Sequence, residues 1–179
     1  MNKLISRDQW KAYMDTGTAD APVYSLIGEG FTSFSESKNP KEYSRQYIHE
    51  RTERTDVVGY APSISYSTDV YSEDPVIRKI IEITDRELIG TDAQVTVYLV
   101  NEWEEVEGGL RAYQRRYAVI PDARGDGTDA MIYSGTLKAV GDIVEGVWDG
   151  TAKKFTAGEA AAPEAADDPE QTAEDPEET

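Results

Sequence analysis

The sequence predicts a mainly β protein, one antiparallel sheet with a single well-marked helix against it. Three observations carry that prediction. Runs rich in Val, Ile, Tyr and Thr with strand-type alternation recur from Pro22 to Ala157. They follow one another through short Gly- and Asp-containing turns, which join antiparallel neighbours. Sustained helical spacing of apolar residues occurs in "SEDPVIRKIIEITDREL", residues 72–88. Hydrophobic residues at 39% and charged ones at 30% of 179 residues fit one globular body, placed at residues 1–157.

The chain opens with "SRDQWKAYMDTG". Ser6 and Gln9 match a capping box, and Trp10, Tyr13 and Met14 fall at i, i+3, i+4, so a short amphipathic helix ending at Gly17 is expected in an N-terminal arm, 1–20. "APVYSLIGEGFTSF" reads as a strand and a glycine-punctuated turn. Residues 36–56, "ESKNPKEYSRQYIHERTERTD", hold five acids, five bases and almost no aliphatic residue. Such a polar excursion is either a solvated hairpin or an arm that grips a neighbouring subunit, and an arm is assigned to 32–60. "PSISYSTDVY" then alternates: Ile64, Tyr66, Thr68 and Val70 on one side, Ser63, Ser65, Ser67 and Asp69 on the other.

Asp74 is suited to cap a helix and Pro75 to begin it. Ile77, Ile80, Ile81, Thr84 and Leu88 form the apolar stripe, widened by Val76 and Ile83, and Gly90 ends it; the helix is placed at 75–88. "AQVTVYLVNEWEEV", "GLRAYQRRYAVIPDA", "AMIYSGTLKAVGDIVEG" and "VWDGTAKKFTA" are four further strand regions. In the first, Val95, Val97, Leu99 and Trp103 share a side, and Gln94, Thr96, Glu102 and Glu104 the other. One helix on one face of such a sheet leaves the opposite face polar, wet and acidic. The remaining "GEAAAPEAADDPEQTAEDPEET", 158–179, lacks aromatic and large aliphatic residues and is expected to be disordered.

The net charge is −17, and residues 158–179 contribute nine acids and no base, leaving 26 acids against 18 bases elsewhere. That balance disfavours nucleic-acid binding, which rests on lysine and arginine displacing counterions. There is no cysteine, which excludes disulfides, thiolate nucleophiles and cysteine-ligated metals. No apolar run reaches bilayer length, so no membrane anchor is expected. The single histidine, His49, lies in the charged excursion and suits a surface position better than a catalytic or ligand role. Asp122, Asp126 and Asp129 share a loop that could hold a cation, but Arg124 stands among them and a plain Asp-Gly hairpin fits better. No catalytic constellation, cofactor motif or metal site is predicted, and the chain is expected not to be an enzyme.

The order of features resembles a known family. A first strand ending in "LIGEGFTSF" and the excursion "NPKEYSRQYIHERTERTDVVGY" are followed by "APSISYSTDVY", the lone helix and "TVYLVNEW". A "YAVIP" strand, a "YSGTLKAVGD" strand and a closing "WDGTAKKFTA" complete the series. Over Pro22 to Ala157 this is similar to the major tail (tail tube) proteins of long-tailed bacteriophages of Gram-positive hosts. The resemblance implies a β-sandwich or half-barrel flanked by one helix, with subunits closing into hexameric rings that stack into a tube. It implies a virion location, assembly in the host cytoplasm, and partners among tape-measure, tail-terminator and distal-tail proteins. DNA would pass through an acidic lumen without specific binding. Ser65, Ser67, Asp69, Gln94, Thr96, Glu102 and Glu104 become lumen candidates. Tyr43, Arg45, Tyr47, Arg51 and Arg54 become contacts of the arm, and Trp10, Tyr13 and Met14 a further inter-subunit contact. A monomeric carbohydrate-binding β-sandwich, suggested by eleven Tyr and three Trp, and a small hydrolase using an acid pair such as Glu104 and Glu105 are the other readings.

Overall fold

The computed structural model describes residues 3–18, 21–125 and 127–158. Ten strands and one α-helix follow in order: β1 (Trp10–Asp15), β2 (Tyr24–Leu26), β3 (Phe31–Ser37), β4 (Pro40–Arg45), β5 (Arg54–Tyr60), β6 (Ser63–Asp69), α1 (Pro75–Asp85), β7 (Gln94–Val106), β8 (Gly109–Gly125), β9 (Ile132–Asp149) and β10 (Lys154–Ala157). Eight strands form one antiparallel sheet in the order β2-β1-β7-β8-β9-β6-β3, with β10 paired to β9; β4 and β5 form a separate two-stranded hairpin. The body is therefore a half-barrel, one curled sheet with its helix, and not two facing sheets.

The first residues depart from the expected helix. Ser6 and Gln9 do make the cap, the Ser6 amide donating to Gln9 Oε1 at 3.2 Å, but it closes only a single 3-10 turn, Arg7–Gln9. The chain then extends as β1, and the apolar residues separate by alternation. Ala12 and Met14 enter the helix-side core, while Tyr13 goes to the opposite face, against Trp148. "VWD" likewise is not a new strand; it is the far end of the eighteen-residue β9. The assigned arm narrows too, because β3 pairs with β6 along Phe31–Ser37 and belongs to the body.

Helix α1 forms where expected. Asp74 accepts from the Val76 and Ile77 amides at 2.8 and 2.9 Å. Val76, Ile77, Ile80 and Ile83 are buried, each contributing about 1.5–3 kcal/mol of hydrophobic stabilisation. The helix ends three residues earlier than placed. Glu87 takes a left-handed conformation, φ 49°, the Leu88 amide donates to Ile83 O at 3.0 Å and the Glu87 amide to Thr84 O at 3.3 Å. This is a Schellman closure, with glutamate in the position glycine favours. Asp85 ties the helix end to the sheet, accepting from Arg124 Nη1 at 2.8 Å and from the Tyr133 hydroxyl.

Two clusters occupy the two faces. On the helix side Met14, Ile64, Tyr66, Val95, Val97, Leu99, Tyr117 and Leu137 pack with α1. On the other face Tyr98, Val100, Ala112, Trp148 and Phe155 are buried with Tyr13, Tyr24 and Leu110 around them. The rings cover one another: Tyr13 stacks on Trp148 at 4.4 Å between centroids, and Tyr24 meets Tyr98 and Trp148 edge-on at 4.9 and 5.3 Å. Part of the face expected to be wet is thus dry. Glycines admit rings in both clusters. A Cβ on Gly135 would lie 2.6 Å from the Tyr66 hydroxyl, and one on Gly146 2.5 Å from Phe155 Cζ. The Tyr66 hydroxyl has no hydrogen-bond partner among the described residues, and burial pushes its pKa up to about 12.

Candidate functional site

The part of the second face that stays open is a lattice of small hydroxyls. Cross-strand register sets Ser33 opposite Ser67, Ser35 opposite Ser65 and Ser37 opposite Ser63. On the next strand over, Ser67 faces Ser134 and Ser65 faces Thr136. Strands lie roughly 4.8 Å apart and same-side residues roughly 6.8 Å apart, so the hydroxyls tile three adjoining strands. The alternation that puts Ile64, Tyr66 and Thr68 in the core turns these groups outward. Gln94 lies opposite Ala118 and Thr96 opposite Arg116, which extends the polar surface to β7.

Of the lumen candidates, Ser65, Ser67, Asp69, Gln94 and Thr96 share this face. Glu102 is on the same side but beyond the aromatic cluster, and its carboxylate is held by Lys11 Nζ at 2.6 Å. Glu104 leaves the series. A register irregularity between Val100 and Glu105 turns it away, to Asn101 Nδ2 at 3.2 Å and Arg111 Nε at 2.5 Å. Arg111 also pairs with Glu145. With Glu102 held by Lys11, Glu104 displaced, and Lys138 and Arg116 also on the open face, at the end away from Asp69, the expected acidic character is not there; the face is dominated by hydroxyls.

The second feature is the β4–β5 hairpin. Its strands pair from Pro40–Tyr60 to Arg45–Arg54, and its base is closed by the Ala61 amide on Asn39 O and Asn39 Nδ2 on Ala61 O, both 3.1 Å. Tyr43, Arg45, Tyr47, Arg51 and Arg54 are all exposed on this hairpin. Arg54 pairs with Glu50 and Tyr47 stacks on His49 at the tip. Sequence reasoning missed the apolar component: Ile48, Val57, Val58 and Tyr60 are exposed as well. The signal was the short run "DVVGY", which no core claims.

Trp10, Tyr13 and Met14, expected as one inter-subunit contact, do not share one exposed surface on the protomer. Met14 is 0% exposed in the helix-side core. Tyr13 is engaged by Trp148, and Trp10 packs near Phe34 with the Arg7 guanidinium over its ring at 4.6 Å. Much of the aromatic content that suggested a carbohydrate platform is likewise stacked on itself. Among the described residues no group of three His, Cys, Asp or Glu could hold a metal, and no helix is long and apolar enough to cross a membrane. Asp122 and Asp129 are exposed, and Asp126 lies outside the described residues. Residues 159–179, expected to be disordered, lie outside them too.

No family model and no curated protein matches the sequence. Solved structures do match the fold. A chain from the tail of an empty GTA particle, determined by helical refinement with C6 symmetry, superposes with a TM-score of 0.56 at 12% identity, over 86% of this chain and 100% of that one. This chain has the fold of that tail component. A chain from the six-fold symmetrised baseplate of the anti-feeding prophage aligns at TM-score 0.49 and 10% identity, over 81% of this chain and 97% of that one. A chain of the sheath/tube terminator of an extracellular contractile injection system aligns at 0.46 and 12%, over 80% and 97%.

Proposed function

We propose that the chain is a structural subunit of a phage-type tail tube. Copies close into hexameric rings, the rings stack, and the open hydroxyl face lines a bore through which DNA passes. The reading is carried by the fold shared, over 86% of this chain, with a component of a tail of C6 symmetry. Two features support it. The hairpin buries little against its own protomer, which leaves Ile48, Val57, Val58 and Tyr60 for a neighbouring ring. The polar face suits passage without capture, since serine and threonine hydroxyls exchange hydrogen bonds with water and the face offers few cations to displace counterions. DNA slips because little holds it, not because an anionic wall repels it. The partners are further copies and the tape-measure, terminator and distal proteins of a virion tail assembled in host cytoplasm. The role is mechanical, with no catalytic step and no cofactor.

Negative-stain microscopy of the full chain at high concentration tests the reading, beside a variant in which a short Gly-Ser linker joins Asn39 to Ala61. Rings or tubes are expected for the first. The second should keep the body's circular dichroism yet fail to stack. A chain that stays monomeric at every concentration overturns the tube, and a variant that still stacks overturns the hairpin's part in it.

A further inference from the structure

The β4–β5 hairpin leaves the body at the place where one edge of β9 falls open. β3 runs into β4, and β5 into β6, through residues 38–39 and 61–62. β6 covers β9 from Ile132 to Lys138, and the Ala139 amide still donates to Pro62 O at 3.0 Å. From there β5 pairs with β4 and does not follow β9. At the far end of the same edge β10 takes Gly146–Asp149, and the Gly158 amide donates to Glu145 O at 3.1 Å. Residues 140–144 have no partner on that edge among the described residues. This leaves roughly 16 Å of open backbone inside the sheet.

We propose that the hairpin has a second, closed position, in which β5 lies along β9 of its own subunit and residues 57–61 fill the opening. Register carries the inference. Ser63 faces Lys138 in an antiparallel ladder, so each step back along the chain from Ser63 meets one step further along β9. Ala61 then faces Val140, Tyr60 Gly141, Gly59 Asp142, Val58 Ile143 and Val57 Val144. The side chains match. Val57, Val58, Tyr60, Ile143 and Val144 are all exposed in the open position, and closing sets valine on isoleucine and valine on valine. Tyr60 meets a glycine with room for its ring, since a Cβ on Gly141 would touch nothing within 4 Å. Residues 141–143 have no partner in β8 and Val58 has none in β4, so closing breaks no pairing there.

Charge agrees with register. Lys41 pairs with Gly59 across the hairpin and lies over it, its Cδ 3.9 Å from where a Gly59 Cβ would stand. Closing brings Asp142 to the other side of the same glycine and on the same face, so ammonium and carboxylate meet across a residue with no side chain. Neither is in an ion pair in the open position among the described residues, and Arg116, which lines a groove with Asp142, is not within ion-pair distance of it. Asn39, left-handed at φ 44°, holds Ala61 O and Ser63 Oγ through Nδ2 at 3.1 and 3.0 Å, which keeps the two strands of the hairpin together at the pivot. This closing is independent of the tube reading, since it concerns a single subunit.

Disulfide trapping in the full chain tests it, because the sequence has no cysteine of its own. Val57→Cys with Val144→Cys makes a facing pair; Val57→Cys with Ile143→Cys, one position off and on opposite faces, is the control. Under mild oxidation in dilute solution the facing pair should close within one chain at least about tenfold faster than the control. Lys41→Glu in the facing-pair background should slow that closure about two- to fivefold, and adding Asp142→Lys should restore it. Equal rates for the two pairs overturn the proposal, as does a facing pair that stays reduced. A rate that Lys41→Glu leaves unchanged overturns the register on which it stands. Cross-linking between chains that rises with concentration also overturns it, because it assigns the opening to a second copy.

Discussion

Replacing Tyr66 by phenylalanine should stabilise the protein at neutral pH and more so in alkali. Tyr66 is 3% exposed, with its ring over Gly135 and its hydroxyl unpartnered among the described residues. Removing a buried hydroxyl that makes no hydrogen bond should gain about 1 kcal/mol at pH 7, since its desolvation is no longer required. The alkaline effect follows from the raised pKa, from an ordinary value of 10 to about 12. The fold favours neutral tyrosine, so this contribution is intact below pH 10 and is lost as pH rises toward 12. At pH 11 the loss is about 1.4 kcal/mol, which the Tyr66→Phe variant would not suffer. Tyr117, raised to about 12 as well, keeps its own share, so the variant's alkaline decline should be shallower but not flat. Urea unfolding at pH 7 and pH 11 reads both effects. A variant that loses more than about 1 kcal/mol at pH 7, or parallels the parent between the two pH values, refutes the reasoning.

Glu87→Gly relieves a left-handed glutamate at the end of α1 and should raise stability by about 0.5–1 kcal/mol in urea unfolding. Gly146→Ala drives a methyl into the Phe155 ring and the Thr156 carbonyl oxygen, and should cost about 2–3 kcal/mol with a lowered Tm. On the tube reading, Ser65→Lys with Ser67→Lys should leave tubes intact but slow DNA release from particles. Glu104→Lys, off that face, should leave release unchanged; equal slowing would misplace the bore.

The helix was legible because its signals are local. Asp74, Pro75 and the isoleucine repeat fix it without help from the sheet. The N-terminal strand was not, because Trp10, Tyr13 and Met14 satisfy helical spacing while alternation also splits them correctly, and only pairing with β7 decides. Gly141 and Gly146 look like turn residues in β9. In the fold Gly141 makes a left-handed irregularity, φ 86°, and Gly146 makes room for a ring. The polar side of β6 was read correctly from alternation. The aromatic patch and the displacement of Glu104 were hidden, since both depend on cross-strand register and on an irregular step in β7. Acid count predicted an anionic face where Lys11 in fact answers Glu102.

The longest strands, β8 and β9, each cross from the helix-side cluster to the aromatic one, contributing Tyr117 and Leu137 to the former and Ala112 and Trp148 to the latter. Neither cluster can open alone without unzipping the ladder that carries its counterpart. The body should accordingly melt as a single cooperative unit, while the β4–β5 hairpin, sharing neither girder, frays on its own timescale.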